Sequence, residues 1–524
     1  MKNIITTTLV CSLLLCTRIT DAQQVILSEC IGTEENEFAR DIQSTADGGF
    51  IIIGYTKTPV GMISATNHGA KDYYVAKLYG DGSLQWQFNY GGTSDDEALG
   101  VTELPSHEFV VVGTSSSDNG DVTDHIGGSD HTDIWCIRIS PTGELVWSKS
   151  YGTDGDDFAA DVCYKNPNRI MIGGTVSGTG QNVESLIGLT DFWLAETDLN
   201  GNVLWENTYG ASGKEKMQDL YLMPDNEIYM AGTSFSSGSN IFDGEAYVVK
   251  CDDSGAEQWE LTISSDSENG IGSIGRICIN ADGGITLGFQ SSTEADNYNC
   301  NPHGAFLYAE ISSEGDLEDV KCFGGTGIDK SAGVCTTDDG SIWVLGTTSS
   351  SDGDVNPPTG YEDEETNMWI GKVNEGGILE WNQSLGGTNS ETAVAMCIQD
   401  GNKIYLLGTS NSNDGMVEGQ HIGEGETFDT WVVVIDILAS GLSDLINLNS
   451  KLYPNPANDN IWLETDIYNG SGALRIVNHL GQIVREEKLT GEKNNVDIGQ
   501  LTKGIYTLVV SSGNYTETHK LVKQ

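Results

Sequence analysis

Short apolar runs separated by polar turns recur in a fixed order about every sixty residues, a period typical of propellers and solenoids. Each repeat holds four runs, rich in β-branched and aromatic residues and bounded by Gly, Asp, Ser or Pro, which is the pattern of β-strands. In the second repeat the runs are 98–103, 109–114, 133–139 and 145–151. Tight turns such as 47–49 join them, so each repeat is predicted to be a four-stranded antiparallel sheet, the blade of a propeller.

A Gly-Gly-Thr-like turn opens each repeat, and seven repeats fill residues 25–438. The third and fourth runs carry aromatic residues at fixed places, which we expect to pack between neighbouring blades. These residues are Tyr74, Trp135, Trp193, Tyr247, Trp369 and Trp431 in the third run, and Trp86, Trp147, Trp205, Trp259 and Trp381 in the fourth.

The phase of the repeat predicts how the array ends. The last repeat supplies three runs and stops, whereas residues 24–30 form an orphan fourth run before the first repeat. Pairing the two would complete the seventh sheet and remove exposed sheet edges. The sequence therefore predicts an all-β fold, a seven-bladed β-propeller closed by its N-terminal strand. An open array of blades is the alternative.

At this point the repeats resemble a known family. Gly-Gly, an acid and Ala before a strand, then Asp-Gly-Gly and Gly-x-Thr-Ser-Ser, are similar to the SBBP-like repeats of secreted bacterial β-propeller proteins. The resemblance covers about four fifths of the chain and implies the fold, but not the ligand, because such propellers serve many roles.

The N-terminus has the features of a signal peptide over residues 1–22: Lys2, an apolar core from Ile4 to Cys16, and a small residue at Ala22. The apolar stretch is too short to span a membrane, and no other stretch approaches that length. A lipoprotein signal needs a small residue before the modified cysteine, and neither Cys11 nor Cys16 has one. The propeller is assigned to residues 23–438 and a linker to 439–450.

The segment 451–524 differs in composition. It holds eight Lys plus Arg against eight Asp plus Glu, so the net charge of −51 lies in the preceding residues. Its motifs, in order, are Tyr-Pro-Asn-Pro, Gly-x-(Ile/Val)-Val, Lys-Gly-x-Tyr and a basic end, and they resemble the C-terminal sorting domain (Por secretion tail, type A) of the type IX secretion system of Bacteroidota. The positions that carry this resemblance are Pro454, Asn455, Pro456, Gly481, Gly504, Tyr506 and Lys520.

The resemblance implies a small immunoglobulin-like β-sandwich that the type IX translocon recognises and a sortase-like machinery processes. It also implies passage through the periplasm to the outer-membrane surface or the medium. An ordinary β-sandwich that binds ligand is the alternative for this segment.

Acidic residues are concentrated in the connections that a propeller places on one face. Calcium is the natural ion for clustered oxygen ligands, so these residues are candidates for a calcium or ligand site. Asp and Asn in such turns also bond their own backbone amides, and that structural role is the alternative. The candidates are Asp118, Asp121, Asp352, Asp354, Asp414, Asp96 and Asp156.

The cysteines do not form an obvious framework. Of eleven cysteines, Cys11 and Cys16 lie in the leader, and an odd number remains. Four of them share one position in the first run of their repeats, which favours small buried side chains. These are Cys163, Cys278, Cys335 and Cys397. One bridge within a repeat, Cys322–Cys335, fits the spacing.

No signature of a hydrolase, phosphate-binding loop or zinc site occurs, and an acidic ring would repel nucleic acid. The sequence therefore favours a non-enzymatic secreted or cell-surface propeller that acts in binding or adhesion to a glycan or protein ligand. A polysaccharide-degrading hydrolase or lyase is one alternative, and a structural component of a surface layer is another.

Overall fold

The structure is a computed structural model, which divides the chain into two compact units, one of them Val25–Asp436 and the other holding the C-terminal strands. The residues it describes are 24–31, 37–57, 69–128, 130–235, 244–263, 271–280, 283–291, 305–337, 339–355, 365–399, 403–417, 419, 427–437, 451–453, 455–458, 460–464, 472–477, 483–489, 493–512 and 515–523. The leader 1–22 and the linker residues 439–450 lie outside them.

Seven four-stranded antiparallel sheets make up the described part of the larger unit. The innermost strands are β2 (Glu37–Ser44), β6 (Asp96–Glu103), β10 (Phe158–Lys165), β14 (Glu215–Leu222), β18 (Ile271–Ile279), β22 (Asp329–Thr336) and β26 (Glu391–Gln399). The second strands are β3 (Phe50–Thr56), β7 (Phe109–Ser115), β11 (Arg169–Val176), β15 (Ile228–Ser234), β19 (Ile285–Ser291), β23 (Ile342–Thr348) and β27 (Lys403–Ser410).

The two outer strands of each sheet complete the blade. The third strands are β4 (Asp72–Leu78), β8 (Asp133–Ile139), β12 (Asp191–Asp198), β16 (Glu245–Cys251), β20 (Phe306–Ile311), β24 (Asn367–Val373) and β28 (Asp429–Asp436). The fourth strands are β5 (Leu84–Tyr90), β9 (Leu145–Tyr151), β13 (Val203–Tyr209), β17 (Glu257–Ile263), β21 (Leu317–Phe323), β25 (Leu379–Leu385) and β1 (Gln24–Ile31).

The ring closes as the phase of the repeat predicts. Strand β1 pairs with β28, so the N-terminal strand supplies the fourth strand of the last blade. Trp431 Nε1 of β28 donates to Ser28 Oγ of β1 over 3.0 Å. Each innermost strand contacts the next around the circle, and β26 contacts β2, so the propeller is closed and the open array is excluded.

The predicted packing of aromatic residues between blades is confirmed. In the third strands, Tyr73 of one blade meets Trp135 of the next, with ring centroids 4.4 Å apart. In the fourth strands, Trp86 and Trp147 donate from Nε1 to the carbonyls of Pro141 and Leu199 in the following blade, over 2.9 and 3.0 Å. The apolar runs are thus buried both within and between blades.

The C-terminal unit contains two sheets. A three-stranded sheet pairs β29 (Lys451–Tyr453) with β30 (Asn460–Glu464), and β30 with β33 (Lys493–Asp497). A four-stranded sheet has the order β32 (Ile483–Lys488), β31 (Gly472–Val477), β34 (Gly504–Ser512) and β35 (Tyr515–Lys523). Ile461, Leu474, Ile476 and Leu508 lie in one buried cluster, which is the core of a small β-sandwich.

Candidate functional site

The acid at the start of the innermost strands holds the loops of its blade together. Asp96 is fully buried. Its carboxylate accepts the Gly92 amide over 2.7 Å, the Ser117 hydroxyl over 2.9 Å and the Ser115 hydroxyl. Burial raises the pKa of Asp96 to about 6, although these hydrogen bonds work in the opposite direction. The Gly-Gly turn, the acid and the Ser-x-Ser segment after the second strand thus form one hydrogen-bonded latch.

The latch recurs in other blades. Asp329 accepts the Gly325 amide over 2.8 Å and the Ser350 hydroxyl over 2.9 Å. Glu391 accepts the Gly387 amide over 3.1 Å and the Ser410 hydroxyl over 2.8 Å. The repeat conserves this latch in several blades, which assigns a folding role to Asp96.

The other acidic candidates also bond to their own blades. Asp352 and Asp414 accept the amides of Thr326 and Thr388 over 2.7 and 2.8 Å. Asp121 and Asp354 accept the amides of Gly91 and Gly324 over 3.2 and 3.3 Å. The remaining two bond to near neighbours: Asp118 accepts from Asn119 over 2.9 Å, and Asp156 accepts the Thr132 amide over 3.2 Å.

These seven acids are distributed over four blades and do not converge. In the residues that the structure describes, no group of three or more His, Cys, Asp or Glu side chains is arranged to hold a metal ion. The turn role is therefore the one that their contacts support, and calcium at these residues stays a prediction.

A second set of charged groups lies in the central channel, where the sequence did not suggest a site. The ladder between the first and second strands shifts register at the same place in each blade. Such a bulge bends the strand and redirects a side chain. The residues that follow the bulge at equivalent positions are Asp41, Gly100, Asp161, Asp219, Arg276, Gly333 and Ala395.

Arg276 lies among the three aspartates of this ring. Its guanidinium pairs with Asp41, and its Nη1 lies 3.8 Å from Asp161 and 3.7 Å from Asp219. Burial raises the pKa of all three carboxyls, that of Asp41 to about 6, although Arg276 opposes the shift. The three carboxyls raise the pKa of Arg276 against the opposing effect of burial. The cluster is thus held together by one guanidinium and carries more potential negative than positive charge.

The cluster divides the channel into two cavities. The first has a volume of about 580 Å³ and is lined by the early residues of the innermost strands, among them Arg40, Lys216 and Lys330. These strands begin at the fourth-to-first connections, so this cavity opens on the loop-bearing face of the propeller. We refer to the cavity lined by Arg40, Lys216, Ser331, Lys330 and Thr392 as the channel mouth.

The second cavity has a volume of about 470 Å³ and lies beyond the cluster, toward the ends of the innermost strands. Cys163, Cys278, Cys335 and Cys397 all line it, so the predicted common placement of these cysteines is confirmed. Cys163 Sγ donates to the Leu220 carbonyl of the next blade over 3.4 Å. The thiols therefore serve the contacts between neighbouring innermost strands.

The predicted Cys322–Cys335 bridge is wrong. Cys335 is a free, buried thiol, whereas Cys322 is disulfide-bonded. Cys335 lies two residues beyond the bulge position and lines the channel. Cys322 lies in the outermost strand β21 of the preceding blade, paired with β20. The two cysteines are close in sequence, but they lie in different blades, and the prediction had placed them in one repeat.

The sorting positions that the structure describes take structural roles in the sandwich. Asn455 Oδ1 accepts the Val522 amide over 2.9 Å, and Tyr506 Oη donates to the Thr502 carbonyl over 2.9 Å. Pro456 follows Asn455, and Gly504 is the first residue of β34. Lys520 lies in β35, whose backbone alone is described there. Pro454 and Gly481 lie outside the described residues.

Comparison with known proteins shows what the two units resemble. Residues 451–524 match the family described as "Secretion system C-terminal sorting domain". No curated protein has a sequence that matches this chain significantly. In the described residues no helix is long and apolar enough to cross a membrane.

Several solved structures resemble the chain at low identity. The WD40 domain of Neurospora crassa Pan2 is 11% identical, with a TM-score of 0.43, over 77% of this chain and 89% of that domain. A protein of unknown function from Dyadobacter fermentans is 9% identical, with a TM-score of 0.40, over 79% and 99%. PorZ of Porphyromonas gingivalis, a surface component of its type IX secretion system, is 10% identical, with a TM-score of 0.25, over 96% and 100%. Likenesses this distant carry no information about ligand or activity.

The sorting domain determines where the protein goes. It directs export through the type IX secretion system to the cell surface or the extracellular space. The chain is therefore a β-propeller protein that carries a C-terminal sorting domain of the type IX secretion system.

Proposed function

We propose that this exported propeller is a non-enzymatic module for binding or adhesion, and that its ligand occupies the channel mouth. One observation carries the proposal. The seven candidate acids of the loop face are engaged in latches and turns, whereas Lys216, Lys330 and Thr392 are exposed at the mouth without a side-chain hydrogen bond or ion pair to another described residue. Concave cavities with a few convergent polar groups are the usual sites for ligands.

This proposal can be tested by measuring binding to a panel of glycans and proteins with a variant whose channel mouth is obstructed. Thr392 lines the mouth and is exposed, so Thr392→Trp would obstruct the cavity without entering the core. Ile328 is 57% exposed on the fourth-to-first connection of its blade and does not line the mouth, so Ile328→Trp is the matched control. We expect wild type and Ile328→Trp to retain the same ligands, in the presence and absence of calcium, and Thr392→Trp to lose them. A ligand that all three proteins bind equally would place the site elsewhere.

We further propose that the type IX translocon and its sortase-like processing machinery are the partners of residues 451–524. The match to the sorting domain supports this role. A chain that ends at residue 438 is expected to remain in the periplasm, whereas the full chain reaches the surface or medium. Export of the truncated chain would contradict the assignment.

A polysaccharide hydrolase or lyase is the second candidate, and the aspartates of the channel favour it. Asp161 and Asp219 have raised pKa values and line the first cavity, and a buried carboxyl in a cavity is the environment of a general acid. Release of products from a polysaccharide panel, abolished in Asp161→Asn with the fold intact, would favour the enzyme. If the protein binds a polysaccharide without releasing products, the enzyme is rejected and the binding module is kept.

A further inference from the structure

We propose that the channel mouth binds a small sugar acid, whose carboxylate pairs with the ammonium groups of Lys216 and Lys330. This inference rests on the proposed function, because it specifies the ligand of the same cavity. It names the chemistry of one ligand class, a hydroxylated ring that bears a carboxylate.

Cations are scarce in this chain. The protein has 26 Lys plus Arg against 77 Asp plus Glu, so carboxylates outnumber cationic side chains about threefold. Residues 23–438 contain twelve lysines, and six of them form an ion pair with a described carboxylate, for example Lys77 with Asp47 over 3.0 Å and Lys250 with Glu227 over 2.7 Å.

Lys216 and Lys330 are the second residues of β14 and β22, and both are exposed at the mouth. Neither has an ion pair with another described residue. Arg40, the third cation there, is already paired with Glu97 over 2.5 Å. The two lysines are therefore available to an anion.

Neutral polar groups lie beside the two lysines in the same cavity. Ser331 directly follows Lys330 and lines the same cavity, and its hydroxyl is buried without a hydrogen-bond partner among the described residues. A buried hydroxyl without a partner costs free energy that a ligand would recover. Thr392 lies exposed in the same wall. These groups fit the hydroxyls of a sugar, while the lysines fit its carboxylate.

The volume of the cavity limits the size of the ligand. The cavity volume of about 580 Å³ suits a mono- or disaccharide. A long polyanion would lie across the acidic loops outside the mouth, within the ~10 Å over which charges act at 0.1 M salt, and would be repelled. A short ligand brings its charge to the lysines alone.

Titration calorimetry on the mature full-length chain tests the inference. The probes are a disaccharide that ends in glucuronate, the neutral disaccharide of the same linkage, and glutarate as a carboxylate without a sugar ring. We expect the acidic disaccharide to bind at least ~10-fold more tightly than either of the others, and to weaken as salt is raised. The double variant Lys216→Met/Lys330→Met is expected to lose the preference for the acid.

Lys214→Met is the matched control, because Lys214 is exposed two residues before Lys216 but does not line the mouth. Thermal unfolding of each variant verifies that the fold is intact. Equal affinity for the acidic and neutral sugars, or an unchanged preference in the double variant, would show that the ligand is not a sugar acid. The proposed function, ligand binding at the channel mouth, would still stand. Equal binding of glutarate would replace the sugar acid by a general carboxylate. Binding of no probe would overturn the inference, and the blocked-mouth survey then decides the proposed function separately.

Discussion

A single residue type, aspartate, has three roles in this propeller, and its surroundings decide which. Asp47 lies in an exposed hairpin turn, where hydrogen bonds from Thr45 and Lys77 hold its pKa well below the usual range, against the effect of partial burial. Asp96 is a buried latch, and Asp41 pairs with Arg276 in the channel. A carboxylate thus stabilises a turn at Asp47, joins the loops of one blade at Asp96, and pairs with a cation across the channel at Asp41.

The most consequential single residue for stability is Arg276. Arg276→Met would leave Asp41, Asp161 and Asp219 without their shared cation, and we expect it to lower the free energy of unfolding by roughly 3–5 kcal/mol at neutral pH. Denaturant unfolding measures the loss. The control is Arg169→Met, which removes a half-exposed arginine that lies 3.3 Å from the buried Glu196; Glu196 keeps Lys165 at 2.7 Å, so the change should cost about 0–1 kcal/mol. Equal losses in the two variants would show that the channel carboxyls do not depend on Arg276.

At the scale of elements, the hairpin between the third and fourth strands joins one blade to the one before it. Gly143 has a φ of +84°, and a Cβ there would lie 2.4 Å from Phe88 and 3.0 Å from Trp86 in the preceding blade. Gly82 has the same place in the first blade and meets Leu27 of β1, which closes the ring. Glycine is therefore needed at this turn for two reasons: the backbone is left-handed, and a large side chain lies too close for a Cβ.

Two glycines separate these two effects experimentally. Gly48 has a φ of +82° and would place a Cβ in open space, whereas Gly143 would place one against the rings. Gly48→Ala should lower the free energy of unfolding by about 1 kcal/mol, because alanine is strained at a positive φ. Gly143→Ala should carry the same cost plus about 1–3 kcal/mol, because its Cβ would overpack against the rings. Denaturant midpoints of the two variants give the difference. A larger loss for Gly48→Ala would contradict the packing role.

At the scale of the whole molecule, stability depends on closure of the ring. Strand β1 covers the edge of β28, and Ile31 belongs to the core cluster shared by the first and last blades. Residues more than four hundred positions apart, such as Ser28 and Trp431, thus complete one sheet. An exposed edge of β28 would otherwise be open to pairing with another chain.

Deleting residues 24–31 should therefore destabilise the ring. We expect the free energy of unfolding to fall by at least about 3 kcal/mol, because Ile31 and Leu27 lose their buried contacts at roughly 1.5–3 kcal/mol each. We also expect the chain to aggregate through the open edge of β28. Thermal unfolding and light scattering measure the two effects. A chain without residues 451–524 is the control and should unfold near the temperature of the intact propeller. An unchanged unfolding temperature after loss of β1 would argue against closure.

The pH dependence of stability follows from the latches. Burial raises the pKa of Asp96 to about 6 and that of Glu391 to about 7, above their unfolded values of 3.8 and 4.5. The folded state then binds more protons than the unfolded state between these values, so the latches contribute less stability as the pH rises. We expect the free energy of unfolding to fall between about pH 4 and pH 7, and Asp96→Asn to reduce this slope. Stability that rises with pH over this range would contradict the latch assignment.

Local patterns were sufficient to predict the elements. The strands of the second blade were predicted within two residues of their observed ends. The evidence in the sequence was the runs of β-branched residues, the turns with Gly and Asp, and the constant period. The missing fourth run of the last repeat predicted the closure by β1, because pairing an edge is favourable wherever a matching strand exists. The sorting motifs were equally local and identified the second unit and the destination of the protein.

The channel was decided by tertiary structure. Asp41, Asp161, Asp219 and Arg276 are separated by roughly sixty to more than two hundred residues and look unremarkable in sequence, and only superposition of the repeats would have placed them at one equivalent position. The same is true of Lys216 and Lys330, which become neighbours of one cavity because the innermost strands of a closed ring converge. A sequence specifies which residues form each strand, but the meeting of side chains across blades depends on the circle that the blades make, and so do the mouth and its charge.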